Sequence, residues 1–123
     1  MRHRILRFFN TNDEEYRVIF TSGATGACKL IADSFPWRGK DKNSTFVYLD
    51  ECHTSVVGMR ELSDYSKVVN EKEVCQGMFD RINTGTNLFA YPAMSNFCGK
   101  KYPYQDWLEL SRNNIDDERE WYV

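Results

Sequence analysis

Val18-Ile19-Phe20-Thr21-Ser22-Gly23-Ala24-Thr25-Gly26-Ala27-Cys28-Lys29 is the stretch whose reading decides the fold. It opens with β-branched and aromatic residues, the composition of a buried strand over residues 18–21. It breaks at Ser22-Gly23, a turn signal. Helix-forming Ala, Lys, Leu and Ile follow, which predicts a helix over residues 26–35, ended by Pro36. The order is therefore strand, tight loop, helix. The first N–H groups of such a helix have no intrahelical partner, and with the positive end of the helix dipole they make an anion site. Gly23 lets the backbone approach the anion, and Thr25 adds a hydroxyl donor. Phosphate is the natural guest. A strand–helix turn without a ligand fits the same residues.

The rest of the chain repeats the alternation. Residues 2–9 place Ile5, Leu6, Phe8 and Phe9 at near-helical spacing. Residues 10–13 read as a loop or the start of a further helical turn, and residues 38–44 as a polar surface connection. Strands are expected at 45–49, 67–70 and 87–91, and a strand-like start at 121–123. Helices are expected at 54–65, 71–83 and 105–110. Residues 95–99 form a loop past the strand that Pro92 closes. Short strands alternating with helices predict an α/β fold with a mostly parallel sheet and flanking helices.

With 123 residues the chain is one domain at most, yet long enough for a sizeable core. Aromatic residues make up 15% and the formal net charge is −2, which fits a packed soluble domain and not a nucleic-acid binder with a basic face. No apolar run approaches the roughly 20 residues of a membrane span. Basic residues occur in 1–7, but no apolar signal core follows, since 10–15 is polar and acidic. Cys28, Cys52, Cys75 and Cys98 are singly spaced, without a C-x-x-C pair. That argues against zinc, gives no metal site, and makes free thiols in a reducing cytosol the expected state.

In open α/β sheets ligands gather beyond the carboxyl ends of strands. Ser22-Gly23-Ala24-Thr25, Asp50-Glu51-Cys52-His53 and Ser95-Asn96 all fall there, which predicts one site built from successive strand exits. Lys29 is preceded by Cys28 and followed by Leu30, so the P-loop pattern fails; the dinucleotide fingerprint fails at Thr25. A phosphate clamp of neither kind points to a small phosphorylated cofactor, with pyridoxal 5′-phosphate (PLP) the leading candidate. His53 can lie flat on a pyridine ring or move protons; it can equally cap a helix. Asn96 can donate to a phenolic oxygen or serve as a turn residue. Arg60 can hold a carboxylate or be a solvated helix residue. Cys98 reads as a small buried hydrophobe.

These clusters resemble a known family. Arg4-Ile5-Leu6-Arg7-Phe8-Phe9-Asn10, the Val18 to Thr25 stretch, His53-Thr54-Ser55-Val56-Val57-Gly58-Met59-Arg60-Glu61 and the run Asn87-Leu88-Phe89-Ala90-Tyr91-Pro92-Ala93-Met94-Ser95-Asn96-Phe97-Cys98-Gly99-Lys100-Lys101-Tyr102-Pro103 are similar to the N-terminal region of molybdenum cofactor sulfurases. That family is related to cysteine desulfurases and class V aminotransferases, PLP enzymes of fold type I. The resemblance implies that residues 1–123 are part of a PLP-binding large domain. It implies that Gly23, Ala24 and Thr25 hold the cofactor phosphate, that His53 stacks on its ring and that Asn96 faces its phenolic oxygen.

The implied reaction takes sulfur from L-cysteine through a cysteine persulfide to the molybdenum cofactor that serves xanthine dehydrogenase and aldehyde oxidase. A cytoplasmic homodimer is implied for the full-length family. Met94 stands where the family often has glutamine. The Schiff-base lysine, the aspartate that pairs with the ring nitrogen and the persulfide cysteine are expected beyond Val123, so that no catalytic residue lies in this chain. The family also begins before Met1, so the chain reads as a piece cut at both ends and inactive alone. Two alternatives stay open: another class V PLP enzyme such as a cysteine desulfurase, and a non-catalytic α/β module that only binds phosphate.

Overall fold

The structure is a computed structural model, and it describes residues 1–37, 44–82, 85–115 and 119–123. Strand β1 (Thr45–Leu49) is buried along its whole length, as its unbroken Thr-Phe-Val-Tyr-Leu run requires of a strand covered on both faces. Strands β2 (Tyr65–Val69), β3 (Gly85–Ala90) and β4 (Arg119–Tyr122) join it in the order β2-β1-β3-β4. Every pairing is parallel. From β1 the chain moves outward to β2, then crosses back to β3 on the other side of β1. That reversal opens a crevice beyond the carboxyl ends of β1 and β3, where α/β sheets take their ligands.

Helices make the crossovers. The link from β1 to β2 is α3 (Thr54–Val57) followed by a 3₁₀ turn (Gly58–Leu62). Helices α4 (Glu71–Cys75) and α5 (Met78–Arg81) lead to β3, and α6 (Tyr104–Asn113) leads to β4. Before the sheet come α1 (Arg2–Phe8) and α2 (Ala24–Ser34). The core is aromatic: Phe46, Phe79, Phe89 and Trp107 are buried. Phe79 meets Phe89 and Trp121 edge-on, with ring centroids 5.7 and 4.9 Å apart. Each such ring contributes about 1.5–3 kcal/mol through burial alone. The indole N–H of Trp37 donates to the Ala32 carbonyl at 2.7 Å, closing the end of α2 over the sheet.

The mostly parallel α/β fold expected from the alternation is present, with the sheet all-parallel. One strand is not. Residues 18–21 form no strand and pair with none among the described residues, and Ile19 and Phe20 are 64% and 56% exposed. Composition supplies β propensity, but a strand exists only where a neighbour completes its ladder. The Phe20 ring instead lies 5.8 Å from the Arg2 guanidinium.

Two expected helices are also broken. The one over 54–65 changes to the 3₁₀ turn at Gly58 and ends at Leu62, and Tyr65 belongs to β2. The one over 71–83 splits at Gly77, whose φ of 85° lies in the left-handed region. Its first half is fixed by a capping box: Glu73 N–H donates to Asn70 Oδ1 at 3.1 Å, and Asn70 N–H donates to Glu73 Oε2 at 2.9 Å. The connection over 38–44 and the end of the 71–83 helix lie outside the described residues, apart from Ser44 and residues 71–82.

Candidate functional site

Helix α2 begins two residues earlier than the turn signal implied, so Thr25 sits in its first turn instead of the loop. Gly23 is the N-cap, with a φ of 145° that side-chain-bearing residues rarely adopt. The first bond of the helix runs from Ala27 N–H to the Gly23 carbonyl at 3.0 Å. Helix geometry therefore leaves the N–H groups of Ala24, Thr25 and Gly26 without intrahelical acceptors. A Cβ on Gly26 would lie 2.9 Å from Ser22 Oγ, so the Ser22 hydroxyl lies over this first turn. The Thr21 hydroxyl donates to the Gly23 carbonyl at 2.9 Å and holds the bend.

Thr25 Oγ1 lies 2.7 Å from Ser55 Oγ, and Ser55 Oγ lies 2.9 Å from His53 Nδ1. His53 caps α3: Ser55 N–H donates to Nδ1 at 3.2 Å. A nitrogen that accepts a backbone N–H carries no proton, so neutral His53 is protonated at Nε2. The start of α2 and the exit of β1 are thus joined side chain to side chain. The helix-cap reading of His53 holds, and the same bond orients its ring.

His53 and Asn96 both line a cavity of about 520 Å³ beyond the ends of β1 and β3, with Cys28, Cys52, Ala90 and Tyr91 among its walls. Gly23, Ala24 and Thr25 do not line it. Thr25 faces a separate hollow of about 420 Å³ with Thr54 and Ser55, and Met59 borders both spaces. The single site expected from three strand exits is therefore two adjoining hollows, with Ser55 and His53 between them. The first expected exit is itself corrected, because residues 18–21 form no strand of the sheet.

Other expected positions differ. Cys98 is exposed, not buried, and its thiol lies 3.9 Å from Glu51 Oε2. Met94 is 48% exposed and bridges to Lys101, away from the cavity wall. The Arg60 guanidinium is engaged by the Tyr48 hydroxyl and by Glu61, at 3.4 Å from the latter, and both raise its pKa. It does not face the cavity. Burial pushes the Cys52 thiol up to about 11, so this wall residue is an unreactive thiol at neutral pH. The four cysteines are free. Among the described residues no cluster of three or more His, Cys, Asp or Glu side chains fits a metal ion, and no helix is long and apolar enough to cross a membrane.

Reading residue types alone gave Ser55 no role and placed Glu51 at the exit of β1 only as a member of the Asp50-Glu51-Cys52-His53 cluster. The signal for Ser55 was the His-x-Ser spacing, in which a serine N–H returns to the capping side chain.

The aminotransferase class-V family model matches residues 1–115. The chain is similar to the molybdenum cofactor sulfurase of Danio rerio, at 44% identity over 83% of the chain and 14% of the relative. It is 39% identical to molybdenum cofactor sulfurase 2 of Aedes aegypti, over the whole chain and 18% of the relative. With the molybdenum cofactor sulfurase of Homo sapiens it shares 36% identity, over the whole chain and 16% of the relative. The chain thus spans 14 to 18% of the length of these relatives. No solved structure matches it. With the family model covering nearly all of its length and a parallel α/β sheet beneath, the chain belongs to the class V aminotransferases.

Proposed function

We propose that the chain binds PLP at the edge formed by the start of α2 and the exits of β1 and β3, as part of a sulfurtransferase that moves sulfur from L-cysteine to the molybdenum cofactor. The observation that carries this reading is the hydrogen-bonded line Thr25–Ser55–His53, which runs from an uncapped helix N-terminus to the rim of the cavity that Asn96 shares. The N–H groups of Ala24 and Thr25 and the Thr25 hydroxyl suit a phosphate dianion, with Gly23 keeping the approach open. Ser55 has two settings: its hydroxyl can donate to His53 Nδ1 or to Thr25 Oγ1. In the second, the Thr25 proton is released toward the phosphate while Ser55 N–H still holds the His53 ring.

His53 would stack on the pyridine ring of the bound cofactor, and Asn96 would donate its amide N–H to the phenolic oxygen. When bound, the ring supplies an electron sink for chemistry at the cysteine α-carbon. Ile31, Phe35 and Val56 give that space an apolar wall. The names of the similar sulfurases support the sulfur-transfer reading over a plain cysteine desulfurase.

Among the described residues no lysine lines the cavity. Lys29 pairs with Asp33 on α2, and Lys100 pairs with Glu71. We therefore expect this polypeptide to bind PLP without releasing sulfide from L-cysteine. The test is to titrate residues 1–123 with PLP and with pyridoxal, then reduce with borohydride and assay sulfide. Saturable PLP binding that exceeds pyridoxal binding supports the reading. Equal binding of the two overturns the phosphate clamp, and sulfide release with one specifically labelled lysine overturns the expected inactivity.

A further inference from the structure

Asn96 sits on a loop that returns on itself. The Ser95 N–H donates to the Lys100 carbonyl at 2.8 Å, the Gly99 N–H to the Ser95 carbonyl at 3.0 Å and the Tyr102 N–H to the Ala93 carbonyl at 3.1 Å. Inside this bend the Ser95 hydroxyl oxygen accepts the N–H groups of Phe97 and Cys98, at 3.2 and 3.4 Å. The backbone on both sides of Asn96 is therefore held by one serine, which is 1% exposed. The Ser95 hydroxyl also faces Glu51, at the exit of β1, and lowers the pKa of its carboxyl.

Glu51 collects more of the loop. Glu51 and Tyr102 line one hollow, where the Tyr102 hydroxyl also lowers the Glu51 pKa, and the Cys98 thiol lies 3.9 Å from Glu51 Oε2. Lys100 pairs with Glu71 from the start of α4 and adds a favourable charge beside Glu51. Tyr102 is buried and packs on Trp107, with centroids 5.5 Å apart, so its hydroxyl has a fixed direction. One carboxylate thus faces donors from both arms of the loop, Ser95 before Asn96 and Cys98 and Tyr102 after it.

We propose that Glu51 is the positioning residue for Asn96: it pins the 95–102 loop to the exit of β1 and so sets where the Asn96 amide meets the ligand. This inference rests on the PLP reading given above. Glu51 itself touches no ligand in this account, since it lies outside the walls of the cavity that Asn96 lines.

The test compares residues 1–123 as wild type, Glu51→Ala, Glu51→Gln, Asn96→Ala and the Glu51→Ala/Asn96→Ala pair. Amide hydrogen exchange at Phe97, Cys98, Gly99 and Tyr102 reads the loop; residues 45–49 are the internal standard. PLP titration reads the ligand. Glu51→Ala is expected to raise exchange in the loop on the order of tenfold, with 45–49 unchanged, and to weaken PLP binding about as much as Asn96→Ala does. The paired variant should bind no more weakly than Asn96→Ala alone, because Glu51 acts through Asn96. Glu51→Gln keeps an acceptor oxygen for Ser95 and should restore most of both; if Glu51→Ala does not fold, it carries the comparison at smaller amplitude. Unchanged loop exchange overturns the proposal. So does a released loop with wild-type PLP affinity while Asn96→Ala weakens it, or a full additive loss in the pair. If the wild type binds no PLP, the cofactor reading fails and exchange alone decides the pinning: faster loop exchange upholds it, unchanged exchange overturns it.

Discussion

Two apolar runs of similar composition meet opposite fates in this molecule. Thr45-Phe46-Val47-Tyr48-Leu49 is the buried strand β1, with β2 on one side and β3 on the other. Val18-Ile19-Phe20-Thr21 forms no strand and pairs with none among the described residues; Val18 is half-buried and the other three are exposed. Side chains of the same kind are present in both. What differs is a neighbour to complete the ladder and a helix layer to cover the faces. β propensity is thus a property of the surroundings as much as of the residue. The difference reaches the candidate site as well: His53 and Asn96 follow paired strands, whereas the helix bearing Thr25 is reached through the unpaired run and joins them through Ser55.

The largest expected effect breaks the comparison at its centre. Phe46→Ala removes a fully buried ring from β1 and should cost about 3–5 kcal/mol, enough to unfold a domain of this size in large part. Phe20→Ala, at an exposed ring, should change stability by less than about 0.5 kcal/mol. Urea unfolding of the two variants checks this. Equal losses would mean that the 18–21 run is packed as firmly as β1.

A smaller effect is expected at Asn70, which caps α4 in a reciprocal box, whereas the Met1 cap of α1 makes no side-chain bond. Asn70→Ala should cost about 1 kcal/mol, seen as a lower urea midpoint with an unchanged slope. A midpoint within error of wild type would show the box to be idle.

The smallest effect is in pH. Hydrogen bonds from Ser95 and Tyr102, with the nearby Lys100 charge and the Cys98 thiol, hold the Glu51 carboxyl below the usual carboxylate range. Because its folded pKa is lowered, the stabilisation is present above the ordinary glutamate value and is lost as pH falls through the lowered one. Loop 95–102 should therefore lose exchange protection on acidification before residues 45–49 do, once intrinsic exchange is corrected for. Simultaneous loss in both segments would contradict an independent Glu51 anchor.

The sheet was legible because its strands are short, apolar and bounded by turn residues: the expected bounds of β1 match, and those of β2 and β3 shift by one or two residues at their ends. The helix breaks at Gly58 and Gly77 were not, since the apolar spacing continues across both: at Gly58 the backbone stays right-handed, with φ −60° and ψ −21°, while the helix tightens to 3₁₀, and at Gly77 it turns left-handed. The missing strand at 18–21 was illegible for a different reason: pairing is non-local, and no property of those residues records which strand lies beside them. His53 and Asn96 were legible as polar residues at strand exits. Ser55 was not, and Glu51 was legible at its strand exit but without a role, because each matters only through a partner far along the chain, Thr25 for one and Ser95 for the other.

The central claim is that the α2 N-terminus clamps a phosphate which the rest of the site extends into a PLP pocket. It is tested most directly by titrating PLP and pyridoxal into wild type and Thr25→Ala, reading ligand fluorescence. The account predicts that Thr25→Ala weakens PLP binding by about 1.5–3 kcal/mol, the value of one charge-assisted hydrogen bond, and leaves pyridoxal binding unchanged. PLP binding of equal strength in both proteins would contradict it.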